Sequence, residues 1–274
     1  MHHRRSTRRA LVYVVLAALA WGTGGPTGAL LSQHADLTPL ATSFWRLAAA
    51  AAWLALARLA ACRDPRRPVL VAGPLRYVLS GLGLAVCQLG YFTAIPRVGV
   101  GIATVIALGA APLLITLATR ERLTPALFAA LAGLTLLSAT SGTTSLTGIA
   151  AAVLSAAGYS LTTLLNRNTS DPLTTALLGF TAGALFLAPF AALPTSPIGW
   201  LLIAYFGLIP TAVAYTLFYI GLRTLKASTA AVLALLEPVV AAAIGVLAFH
   251  EHLTPLALLG AAVLLLAVAA QSRR

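Results

Sequence analysis

Polar residues interrupt this chain at short intervals, and between them lie ten stretches that are apolar almost throughout: 11–31, 39–60, 77–95, 98–119, 125–141, 148–165, 172–193, 198–222, 227–249 and 255–271. A helix needs about 17–25 residues to cross roughly 30 Å of hydrocarbon. Each stretch falls in or near that window, so the pattern predicts an all-α membrane protein of ten transmembrane helices.

The predicted helix starts carry a second signal. Thr38-Pro39, Thr124-Pro125, Asp171-Pro172, Ser196-Pro197 and Thr254-Pro255 stand at five of the boundaries. Each pairs a side-chain oxygen, able to accept from a free first-turn amide, with a proline that has no amide to satisfy.

The halves of the chain repeat. Arg97, Val105 and Pro112 align with Arg223, Ala231 and Pro238 at an offset of 126, and Glu121-Arg122-Leu123-Thr124-Pro125 aligns with Glu251-His252-Leu253-Thr254-Pro255 at 130. The difference is about one helical turn, which predicts a fourth helix one turn shorter than the ninth. The expected units are residues 1–143, with helices one to five, and 144–274, with helices six to ten. Five crossings per unit is odd, so the second unit must enter the membrane upside down. Two inverted halves about a midplane cavity is an arrangement that many secondary transporters use.

Charge adds a direction. The chain has 18 Lys and Arg against 6 acids, a net charge of +12. With the N-terminus in the cytoplasm, sixteen of the basic residues fall on that side, Arg97 falls outside, and Arg46 lies within a span. The positive-inside rule asks for this asymmetry, and it predicts both termini in the cytoplasm of a bacterial cell. The charge is then topological and faces anionic lipid. The expected partners are the lipid bilayer and a small-molecule substrate, with no nucleic acid. Only 9% of residues are charged and the mean hydropathy is +0.93, whereas a soluble chain carries about 25% charged residues. Cys62 in a turn and Cys87 in a span give no disulfide framework or metal cluster, so neither a metal nor a cofactor is expected. The start of the chain has the look of a secretory signal, but its apolar run continues through Leu31, too long for a cleaved core. It reads as an uncleaved first span.

Several motifs resemble one family. Ala20-Trp21-Gly22-Thr23 resembles the opening of EamA-type repeats of the drug/metabolite transporter superfamily, and Phe44-Trp45-Arg46 resembles the aromatic-Arg element of its second helix. Thr211-Ala212-Val213-Ala214-Tyr215, Leu236-Glu237-Pro238-Val239-Val240 and Glu251-His252-Leu253-Thr254 resemble its eighth to tenth helices in order and spacing. The resemblance implies a ten-helix transporter of small metabolites in the bacterial cytoplasmic membrane, commonly an exporter. Members handle amino acids, amines, nucleosides and drugs, so it names no solute. This chain departs from the family in its repeats: Pro112 to Glu121 is four residues shorter than Pro238 to Glu251.

Arg46 and Glu237 each lie near the middle of a span, where a charge costs about 2.5–3.5 kcal/mol unless it meets water or a partner. One reading has Arg46 fork a substrate carboxylate while Glu237 receives an amine, which suits a zwitterion such as an amino acid. The other has the two pair with each other, or Arg46 reach toward a helix end while Glu237 binds free backbone amides beside Pro238. Gly22-Thr23-Gly24-Gly25-Pro26 interrupts the first span, and broken helices at mid-depth are tolerated where they line a cavity; Trp21 and Gly25 join the candidates. Trp45, Gln88, Tyr91, Tyr159, Thr211 and Tyr215 supply aromatic faces and neutral hydrogen-bonding groups inside spans, or serve as interfacial anchors. Glu237, His250 and Glu251 are the proton-coupling candidates, histidine titrating near neutrality. Gly179 and Gly183 form a GxxxG that permits close helix approach, within the fold or against a second copy in a homodimer.

Secondary transport competes with two other classes. An intramembrane enzyme needs a nucleophile with a base, or a carboxylate or metal cluster. The chain has no Gly-x-Ser-x-Gly, no aspartate inside a span and no mid-depth histidine. A sensor or scaffold would carry a soluble output domain or a long tail, and both tails here are short. No Gly-x-x-x-x-Gly-Lys-Ser/Thr is present for direct ATP drive.

Overall fold

The computed structural model describes residues 2–61, 73–138, 145–250 and 252–272, all helix and connecting turn. The helices are α1 (His2–Gly22), α2 (Gly24–Ala35), α3 (Pro39–Ala61), α4 (Pro74–Ala118), α5 (Pro125–Leu137), α6 (Leu146–Asn166), α7 (Pro172–Leu187), α8 (Pro197–Gly207), α9 (Ala214–Leu222), α10 (Ala227–Ala234), α11 (Leu236–Phe249) and α12 (Pro255–Ser272). Among the described residues, eight helical stretches are long and apolar enough to cross a membrane, and Pro125–Leu137 is shorter.

The X-Pro starts cap as their chemistry demands. Thr38, Thr124, Asp171, Ser196 and Thr254 each accept from the amide three residues on, at 3.1–3.3 Å. Helix ends are less regular. The fifth stretch is helical only to Leu137. The seventh ends at Leu187 and tightens into a 3-10 turn over Ala188–Phe190, because Pro189 has no amide to offer the Leu185 carbonyl.

The third and fourth predicted spans run on as one 45-residue helix, α4, that breaks at Gly99, whose φ of 82° and ψ of 159° are not helical. A straight helix of that length would reach about 68 Å, twice the hydrocarbon thickness. Instead the chain turns back on itself. The Tyr91 hydroxyl lies 2.8 Å from the Thr104 hydroxyl, whereas residues thirteen apart on a straight helix stand about 20 Å apart. Both arms pack along α6. Gly83, Gly90 and Val98 of the first arm meet Thr162, Ser155 and Gly148 in antiparallel order. On the second arm the Ala111 carbonyl accepts from Ser160, and Ala103 shares a cluster with Ala152.

The molecule has two ends. At the near end, where α1 begins, Gly221 of α9 sits on Ala10 and Val14, and Gln271 of α12 bonds Thr124 and Thr229. Arg58 of α3 also pairs there with Asp171 at the start of α7, 3.1 Å apart. Burial pushes the Asp171 carboxyl up, but bonds from the Thr174 hydroxyl and amide and the Arg58 charge outweigh it and hold the group below its ordinary range. At the far end lie Gly99 and the α2–α3 turn. There Thr195 bonds Asp36 at 3.0 Å, Ser196 bonds the His34 carbonyl, and Trp45 donates to the Ala192 carbonyl at 2.6 Å. Gly179 and Gly183 face Ser80, Leu47 and Gly81, so the GxxxG packs inside the fold.

Candidate functional site

Three helices lose their regular hydrogen bonding near mid-depth, and a proline causes each break. Pro26 has no amide for the Gly22 carbonyl. There α1 gives way to α2 at Thr23, whose hydroxyl donates to the Ala20 carbonyl at 2.8 Å. Pro210 has none for the Phe206 carbonyl. That carbonyl accepts from the Thr211 hydroxyl at 2.7 Å, and the helix widens into a π-turn over Leu208–Val213. Pro238 leaves the Ala234 carbonyl without its donor, and α10 ends one residue before α11 begins. Glu237 therefore sits in the first turn of a helix, where free amides favour a negative charge.

These breaks surround a cavity of about 450 Å³, within the range of roughly 300–1,000 Å³ typical of small-molecule sites. Its wall on α2 is a helical stripe of Gly25, Gly28, Ala29 and Ser32, followed by Leu37 and Pro39. Opposite stand Gln88, Tyr91, Phe92 and Ile95 of α4. Trp21, Arg46, Ser155, Tyr159, Tyr215 and Glu237 close its mid-depth end. Each helix that lines it contributes from its middle to its far end, so the cavity opens toward the far end. Below it the near half is solid: Val14, Ala17, Ala18, Ile115, Phe218, Leu222 and Leu233 are all at most 2% exposed.

Trp21, Gly25, Arg46, Gln88, Tyr91, Tyr159, Tyr215 and Glu237 come together on this wall. No ion pair within 4.0 Å joins Arg46 to Glu237; among the described residues the ion pair is Arg58–Asp171. The Arg46 guanidinium carbon lies 5.0 Å from the Phe206 ring centre, a cation–π contact that partly offsets its desolvation. Its Nε has no hydrogen-bond partner. Tyr215 is held edge-on by Trp21 at 4.9 Å and Phe180 at 5.2 Å. The Gln88 carbonyl lies 3.2 Å from the Ser43 hydroxyl.

Three sequence candidates among the described residues do not border the cavity. The Thr211 hydroxyl is spent on the Phe206 carbonyl that Pro210 strands. Trp45 turns outward, where its ring meets Trp200 at 5.1 Å and its indole bonds Ala192. His250 caps α11 in a left-handed conformation, exposed and away from the cavity. Glu251 lies outside the described residues. The sequence reading missed Ser43, Phe206, Pro210 and Ser155, all lining. Pro210, a proline inside an apolar run, was the signal available for that wall.

Comparison with known proteins follows the same direction. The model of a family described as the EamA-like transporter family matches residues 143–272. The uncharacterized transporter YwfM of Bacillus subtilis (strain 168) is 34% identical over 278 residues, 93% of this chain and 90% of its own. An uncharacterized transporter of Archaeoglobus fulgidus is 31% identical over 124 residues, 44% of this chain and 46% of its own. A protein of known crystal structure superposes with a TM-score of 0.80 over 97% of this chain and 99% of its own, at 23% identity, a likeness of fold.

Proposed function

We propose that this chain, an integral membrane protein that belongs to the EamA-like transporter family, carries a small zwitterionic solute such as an amino acid by alternating access. In this reading it crosses the membrane ten times, as inverted repeats of residues 1–143 and 144–274, with both termini in the cytoplasm and export as the direction. The mirrored packing supports the repeats. The pairing of α6 with α4 is matched by that of α1 with α9, and α3 with α7 and α5 with α12 pair across the middle.

The observation that carries the solute class is the separation of the two charges. Arg46 and Glu237 line one cavity without pairing. In a membrane interior, opposite charges held apart are costly unless water or a ligand fills the gap. A zwitterion does so, with its carboxylate on the Arg46 fork and its ammonium on Glu237 at the head of α11. The aromatic lining of Trp21, Tyr91, Phe92, Phe206 and Tyr215 favours a second reading, a cationic or apolar drug held on ring faces.

Uptake of labelled amino acids by proteoliposomes tests the first reading. Arg46→Gln and Glu237→Gln should each lower transport at least about tenfold, the scale of a charge-assisted hydrogen bond. Wild-type rates in both folded variants would sink it. Stabilisation by quaternary ammonium ions that survives Arg46→Gln would favour the second.

A further inference from the structure

The solid half beneath the cavity contains a polar seam. Asn166 at the end of α6 is wholly buried and donates to the Ser80 hydroxyl at 2.7 Å and the Tyr219 hydroxyl at 3.1 Å. Ser80 and Tyr219 are themselves at most 1% exposed. The seam joins the two groups of helices that flank the cavity: α4 and α6 on one side, α9 with α1 on the other. A second link crosses the same divide closer to the near end. The Ser228 hydroxyl of α10 donates to the Glu121 carboxylate just past α4. Beside it Gln271 bridges Thr124 and Thr229.

The seam is incompletely satisfied. The Asn166 Oδ1 is buried without a partner. In a permanent core nearly all buried polar groups are hydrogen-bonded, and a half-satisfied buried network is worse than an apolar one. A seal that must open is different: its unmet groups are hydrated once it parts, which lowers the cost of parting. In the far half, among the described residues, the walls of the cavity are joined by a neutral bond, Ser43 of α3 to Gln88 of α4 at 3.2 Å, where the near end has a charged one at Glu121. The far-end links Asp36–Thr195 and His34–Ser196 tie the α2–α3 turn to the segment before α8, both beside the same flank.

We infer that Asn166–Tyr219 and Glu121–Ser228 form the near-end gate, bonds that hold the cavity shut on that side and break for the solute to pass. The inference rests on the alternating-access reading and names the residues through which that motion is controlled. Asn166, anchored on Ser80, holds Tyr219 directly, and Glu121 holds α10 through Ser228.

Cys87 lines the cavity and reports which end is open. In a Cys62→Ser background in sealed vesicles, a membrane-impermeant maleimide is supplied from either face. Wild-type protein should label mainly from the far face. The ratio of near-face to far-face labelling should rise about 2- to 10-fold in Tyr219→Phe and about tenfold or more in Ser228→Ala, which strips a charged acceptor of its donor. Glu121→Gln, which keeps an acceptor oxygen, should move it less than Ser228→Ala. Thr195→Val, which removes a far-end link outside the divide, should leave it unchanged. Folded Tyr219→Phe and Ser228→Ala proteins that label as wild type would overturn the gate, as would an equal response to Thr195→Val. A shifted ratio in protein that carries no solute leaves the gate standing and removes the transport reading. Transport with an unmoved ratio does the reverse.

Discussion

Replacing Gly158 by alanine tests the closest approach in the molecule that bears on the cavity. The new methyl would stand 2.4 Å from the Gly83 carbonyl oxygen and 2.7 Å from the Cys87 amide nitrogen. Comfortable separations are about 3.5 Å, so α6 and the first arm of α4 would have to part by roughly 1 Å there. Both obstructions are backbone, and no side-chain rotation relieves them. Overpacking costs about 1–3 kcal/mol, here at the upper end, while alanine recovers about 1 kcal/mol of helix propensity. The net expectation is a loss of about 2 kcal/mol. Gly28→Ala is the matched control, since nothing lies within 4 Å of its added methyl. It should gain about 0.5–1 kcal/mol. Equilibrium unfolding in mixed micelles, followed by tryptophan fluorescence, measures both. Gly158→Ala protein as stable as wild type would refute the reasoning, as would Gly28→Ala protein destabilised by as much. Because Tyr159 is the next residue and Cys87 the one displaced, Gly158→Ala should also weaken solute binding.

Gly99→Ala should lower stability by about 1–3 kcal/mol, the cost of a backbone conformation that belongs to glycine, although its added methyl meets nothing within 4 Å; thermal unfolding that matches wild type would contradict this. The depressed Asp171 carboxyl gives a pH signature: its stabilisation is fully present above the unfolded value of about 3.9 and is lost as pH falls through the lower folded value. Asp171→Asn should therefore be less stable than wild type at neutral pH and show a flatter acid limb below about pH 4, and parallel acid limbs in unfolding titrations would reject it.

Much of the architecture could be read from residue order, because lipid permits few choices. A span must satisfy its own backbone, so length, hydropathy and capped X-Pro starts mark helices reliably. The turn at Gly99 was legible only in place: spans 77–95 and 98–119 put it at Pro96 and Arg97, and only the backbone shows that Gly99 makes it within continuous helix. At the site, the mid-depth charges Arg46 and Glu237 and the Gly-Pro break announced themselves, since each violates a rule that lipid otherwise enforces. Trp45 and Thr211 did not sort correctly. Both lie inside spans, but helical phase and the stranded Phe206 carbonyl decide where they point, and phase is hard to fix in a helix apolar on every side. The near-end polar seam was missed for a related reason. Ser80, Asn166 and Tyr219 are distant in sequence, and each alone is an ordinary polar residue in a span.

The single-residue bend at Gly99 also limits what the wall beside it can do. Two rods joined by a flexible loop can slide past one another; two rods hung from one glycine and pinned by Tyr91 against Thr104 cannot. With α6 wedged along both, the two rods and α6 would have to tilt as one piece. A tilt that widens one end of the crevice must narrow the other, so a channel open to both sides at once is geometrically discouraged.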